Sequence, residues 1–271
     1  MTIRFRNRIT LAFFIIAVSC LMLGTFFTLY QFFSKGIVLP EIYTMDLSDK
    51  LLFRYYPVCT FTGIFILLLY ICITTLILFH SFEKTQAPDI VFFLLFLFAC
   101  LCDTSRLLVP VFQLSGTFSR FLLKVGNINL FARLLAPLAL MGNTLMSTDE
   151  FRQSTDRNCL ILIITAMFFA EMLPLNTAVI LPNFCISYGY QKAVRGFSLL
   201  LCLVSAIALF RTNSKNEYKQ IMTLGFLLLC IGYSLMFYSF NIASLVAGTI
   251  LLGGGTYIYL NEVHKHYLWI D

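Results

Sequence analysis

Apolar runs of about twenty residues, separated by short polar breaks, decide what this chain can fold into. The runs cover residues 9–33, 57–79, 90–113, 130–147, 159–181, 197–210, 221–239 and 242–260. A bilayer core about 30 Å thick is crossed by about twenty helical residues, each rising about 1.5 Å. The 271 residues are 59% hydrophobic and 12% charged, where a soluble domain has about 45–50% and about 25%. Water is therefore not the main solvent of this chain. The runs predict an all-α, polytopic membrane helix bundle with about eight transmembrane helices. An N-terminal anchor helix would occupy 1–33, a short outer connecting segment 34–56, a seven-helix bundle 57–260 and a short cytoplasmic tail 261–271. The sixth run is short, and adding residues 188–196 would bring it to spanning length. Only Phe240 and Asn241 separate the last two runs; a single bent helix there would reduce the count to seven.

Arg4, Arg6 and Arg8 precede the first run as in a signal peptide, but the run is too long for one and contains no A-x-A site. It reads as an uncleaved anchor. Ala17-Val18-Ser19-Cys20 resembles a lipoprotein cleavage site, yet apolar sequence continues well beyond Cys20. The formal charge of +6 is spread over short loops, which argues against nucleic-acid binding and for an orientation signal. Ten Lys and Arg residues fall on the side of the termini and seven on the other. The positive-inside rule then predicts both termini in the cytoplasm, with the chain integral to a bacterial cytoplasmic membrane.

Four ionisable residues lie at membrane depth: Asp103, Arg106, Arg133 and Glu171. Each costs about 2.5–3.5 kcal/mol on insertion scales, so each needs a partner or a purpose. Asp103, Arg106 and Pro110 follow i, i+3, i+7 spacing and share a helix face. Arg133 with Pro137, and Glu171 with Pro174, also share faces. Each proline leaves the carbonyl four residues earlier without its helical donor, so kinked helices with spare acceptors would surround the charges. The four charges could meet in one outward-facing cavity. The competing reading is structural, with each acid paired to an arginine to hold helices together; proton relay or catalysis is a third.

Gly248, Gly253, Gly254 and Gly255 predict close helix packing in the last run. Phe118, Phe121, Leu122 and Val125 recur at helical spacing, opposite Ser119, Arg120 and Lys124, which suits a helix lying in the interface. Tyr257, Tyr259, Tyr267 and Trp269 predict an interfacial aromatic belt. His80, His264 and His266 give no metal site, because H-x-H on a helix turns the rings about 200° apart. The nine cysteines are scattered, Cys20, Cys72, Cys100, Cys102, Cys202 and Cys230 among those within apolar runs, with no disulfide or zinc spacing. No G-x-S-x-G, H-E-x-x-H or Ser/Lys protease pattern is present, so neither an enzyme nor a cofactor is expected.

An N-terminal anchor, a short outer segment and then seven closely connected helices over 57–260 resemble the bacterial seven-helix sensor modules. Those modules carry a larger outer ligand-binding domain and a cytoplasmic output domain, which this sequence lacks. The resemblance implies a receptor-like or accessory module, sensing a small molecule and read by a separate signalling partner. A small permease or transporter subunit is the alternative, since proline-broken helices around midplane charges also serve transport. A structural subunit of a larger membrane complex is the third reading. The partners expected are the lipid bilayer, a small-molecule ligand and a separate signalling or transport protein.

Overall fold

The computed structural model describes residues 3–34, 54–83, 88–114, 120–145, 155–213 and 217–268. Among them the chain forms eight long helices and one small β-hairpin: α1 (Ile3–Ser34), α2 (Pro57–Ser81), α3 (Pro88–Asp103), the short α4 (Leu108–Val111), α5 (Arg120–Leu145), α6 (Thr155–Met172), β1 (Leu175–Ile180), β2 (Ile186–Tyr188), α7 (Gln191–Asn213), α8 (Glu217–Phe237) and α9 (Ile242–Leu268). A 3-10 turn over Thr104–Leu107 joins α3 to α4, and together they make one span. Seven of the helices are long and apolar enough to cross a membrane. The eighth, α6, has 18 residues, about 27 Å, and carries Asp156, Arg157 and Glu171 at its ends. The chain is thus an all-α membrane helix bundle. Most of the expected outer segment, 35–53, lies outside the described residues.

The bundle has two ends. At the end holding Ile3, Arg6 of α1 donates to the Phe82 carbonyl and the Asn7 amide donates to the Glu83 carbonyl at 2.9 Å. These bonds tie the start of α1 to the end of α2. At the other end lies the β1–β2 hairpin, where the backbone N–H of Tyr56 donates to Phe240 at 2.9 Å. The core between them is Phe-, Leu- and Ala-rich. Phe92, Phe93 and Phe96 of α3 are buried, and Tyr259 of α9 stacks on Phe93 at 5.9 Å. The α1 helix is peripheral, burying only Arg6, Thr10 and Ala17.

α8 and α9 form the most intimate pair. A Cβ on Gly255 would stand 2.5 Å from the Leu229 nitrogen, and one on Gly248 3.0 Å from that of Met236. Gly225 and Gly232 of α8 complete the seam, each meeting α9 backbone. Gly253 and Gly254 meet nothing within 4 Å, so the expected packing role belongs to Gly248 and Gly255 and not to those two. The last two runs are separate helices. Asn241 caps α9 by accepting from the Ser244 N–H at 2.7 Å.

Four expectations change. The fifth run does not stay helical to 181. Helix α6 ends at Met172, and Pro174, expected to kink it, stands beyond its end. The β-branched stretch that follows becomes β1, paired antiparallel with β2. The interfacial helix over 118–125 is instead, from Arg120 on, the start of α5. Phe118 and Ser119 lie outside the described residues, while Leu122 and Val125 are buried against Val109 and Ile186. Tyr259, expected in the aromatic belt, is a core residue whose hydroxyl accepts from Asn143 at 2.7 Å. Tyr257 is exposed, and the Tyr267 side chain and Trp269 lie outside the described residues.

Candidate functional site

Three of the four intramembrane charges come together beneath the hairpin. Asp103 and Arg106 are fully buried, and their side chains pair at 3.5 Å. The cause is local. Pro110 has no N–H for the Arg106 carbonyl, and the chain tightens into the 3-10 turn over Thr104–Leu107. The Arg106 guanidinium then reaches the end of α8, donating to the Phe237 carbonyl at 3.0 Å and toward that of Met236 at 3.5 Å. Carbonyls in the last turn of a helix have no intrahelical donor, and a cation there also meets the negative end of the helix dipole. The Asn183 amide adds a second bond to Phe237, at 3.4 Å.

Arg133 lies midway along α5, 9% exposed, with Pro137 inside the same helix. It donates to the Tyr238 hydroxyl, and its guanidinium carbon sits 4.1 Å from the centroid of the Phe237 ring and 5.7 Å from that of Tyr188. Arg106 also meets this ring, its guanidinium carbon 5.2 Å from the Phe237 centroid. The phenyl ring is therefore shared by two guanidinium groups, cation–π contacts that partly replace lost hydration. Among the described residues, Arg106 and Arg133 are also the cations that act on the Asp103 carboxylate.

Glu171 is not part of this cluster. It is exposed near the end of α6 and accepts a hydrogen bond from Asn127 at 3.2 Å. The expectation that all four charges converge is corrected to three, because α6 turns the Glu171 position outward before it ends.

The hairpin closes the bundle end over these residues. A Cβ on Gly126 would come within 2.9 Å of both Leu175 and Ile186, so glycine is what lets the strands lie on α5. At the tip, the Phe184 N–H donates to the Leu181 carbonyl at 2.9 Å, and Phe184 takes a left-handed backbone with φ 63. A bulky residue in that region is strained. Burial holds it there, since the ring is 0% exposed and meets Phe61 edge-on at 5.0 Å. Burial also pushes the Cys185 thiol and the Tyr188 phenol up to about 12 each. Both are neutral at physiological pH.

Several buried polar atoms in this region have no hydrogen-bond partner among the described residues: both Asp103 carboxylate oxygens, Arg106 Nε and the hydroxyls of Tyr188 and Tyr233. Buried polar groups are normally satisfied, so such a concentration marks a place with capacity to bind. Beside it, a cavity of about 390 Å³ runs between α5, α7 and α8. Arg133, Tyr233, Phe237 and Tyr238 belong both to the cluster and to the cavity wall. Sequence reading did not single out Tyr233, Tyr238, Asn183 or Arg195. Their signal was position, as polar residues within a turn or two of predicted helix ends. No family model matches the chain, and no curated protein matches it.

Proposed function

We propose that this chain is a receptor-like membrane module that binds a small molecule at the hairpin end of the bundle. The observation that carries the reading is that Arg133 is both a member of the buried charge cluster and a wall of an adjoining cavity. A cluster with a purely structural role needs no such opening, whereas a ligand entering there would touch α5, α7 and α8 together and load the aromatic rings that bridge the two arginines. The expected topology places this end outside the cell, with a separate partner reading the opposite face.

The test is a compound screen on the purified, reconstituted chain. It uses thermal stabilisation as the first readout and maleimide labelling of a reporter cysteine at position 262, in a cysteine-free background, as the second. A compound that stabilises the chain, loses its effect in Arg133→Gln and alters the labelling rate at 262 supports the reading. Binding with no response at 262 sinks it. Accumulation of the compound inside vesicles would select a permease instead.

A further inference from the structure

We infer that the ligand of the α5–α7–α8 cavity is a single-chain lipid acid, a carboxylate on one long alkyl chain, drawn sideways from the leaflet at the hairpin end. The inference rests on the ligand-binding reading above and specifies its ligand class.

The cavity is polarised along its length. Arg133, Arg195, Ser198, Ser234 and Tyr238 gather at its hairpin end. From there α5 and α7 run away from the hairpin, while α8 runs toward it, so Leu140, Leu203 and Leu227 line the deeper part. Eight residues separate Arg195 from Leu203, about 12 Å along α7. A molecule filling the site would hold its polar group near one membrane surface and its tail along the bilayer normal, as the surrounding lipids do.

Charge selects the head group. Arg133 and Arg195 lie over the same Tyr238 ring, at 5.4 and 5.2 Å from its centroid. Among the described residues neither is ion-paired with a carboxylate, because the Asp103 carboxylate pairs with Arg106 and Glu171 is bound to Asn127. Among the described residues one carboxylate, Asp103, therefore stands against three arginines, Arg106, Arg133 and Arg195. That excess of positive charge at the edge of a low-dielectric region favours an anion, and each guanidinium of the cavity wall offers a planar fork that matches a carboxylate.

Shape and access select the rest. At about 390 Å³ the cavity is near the small end of ligand sites, about 300–1,000 Å³, which suits one chain better than two. Leu199, Leu203 and Ile231 on its lips are 60%, 60% and 49% exposed. On helices that span a bilayer, such residues meet lipid, so the entrance is lateral.

The experiment uses the full chain in neutral detergent with a diazirine-bearing hexadecanoic acid as photoprobe. Saturable labelling is expected, mapping to peptides containing Leu203 or Leu227. Hexadecanoic acid should compete and hexadecanol should not. Arg195→Gln, at the exposed rim where folding is not at stake, and Arg133→Gln should each weaken labelling about tenfold. Equal competition by hexadecanol, or undiminished labelling of Arg195→Gln, overturns the inference. Stronger competition by a two-chain anionic phospholipid than by the acid also overturns it. The two readings fail separately. If the acid binds as described without altering labelling at 262, the receptor reading falls and the ligand class stands. If a neutral compound acts at 262 through this cavity and the acid does not, the reverse holds.

Discussion

Arg106 donates to the carbonyl of Phe237 at 3.0 Å, across 131 residues of chain. One side chain thereby neutralises Asp103 and caps α8. Arg106→Gln removes the ion pair and the guanidinium cap and leaves buried Asp103 without its ion-pair partner, for which losses of about 3–5 kcal/mol are typical. The midpoint of unfolding in mixed micelles should fall accordingly. Replacing both partners, Asp103→Leu with Arg106→Met, should recover most of the loss. A double variant as unstable as Arg106→Gln alone would show that capping, and not charge pairing, dominates.

Glu171→Gln should leave stability within about 0.5 kcal/mol of the parent, because the side chain is exposed and, among the described residues, engages Asn127 alone. The same unfolding measurement checks it. A loss as large as that of Arg106→Gln would return Glu171 to the buried cluster.

These two residues also mark what the sequence made legible. The helices could be read because lipid solvent demands uninterrupted apolar length, and Asp103–Arg106 because i, i+3 spacing on a helix brings side chains together whatever the tertiary structure. Glu171 depended on how α6 rotates, and hydropathy does not encode rotation. The hairpin was hidden because β-branched residues after Pro174 are as apolar as the helix before it. Pro174 was the available clue, as a residue that stops a helix more often than it bends one. Gly225 and Gly232 repeat the seven-residue interval of Gly248 and Gly255, and that match between two neighbouring runs would have found the seam.

The seam itself makes a contrast within one glycine triplet. Gly255→Val should cost about 1–3 kcal/mol, since its Cβ would press on α8 backbone. Gly254→Ala faces open space and should be neutral or stabilise the helix by about 0.5–1 kcal/mol. Thermal melts of the two variants in parallel test the pair, and equal destabilisation would contradict the placement of α9 on α8.

Alkaline pH should loosen the hairpin. In the folded chain the Cys185 thiol lies at about 12 against an ordinary 9.0, and Tyr188 at about 12 against 10.0. Both values are raised, so the neutral forms contribute stability below pH 9 that is lost as pH rises toward 12. Melting temperature should decline from about pH 9, and Cys185→Ala should make that decline shallower without moving its onset, because other buried thiols remain. An unchanged profile in that variant would mean the thiol is not shielded.

The reach of Arg106 also bears on assembly. When α3 enters the membrane, the carbonyls that will cap its arginine belong to a helix that follows four others in the chain. Until then Arg106 has only Asp103, three residues away, to offset its charge. The C-terminal helix pair, already joined backbone to backbone, is therefore the keystone of the bundle. Truncation before Glu217 would leave a chain that inserts yet lacks the carbonyls that receive the Arg106 guanidinium in the native bundle.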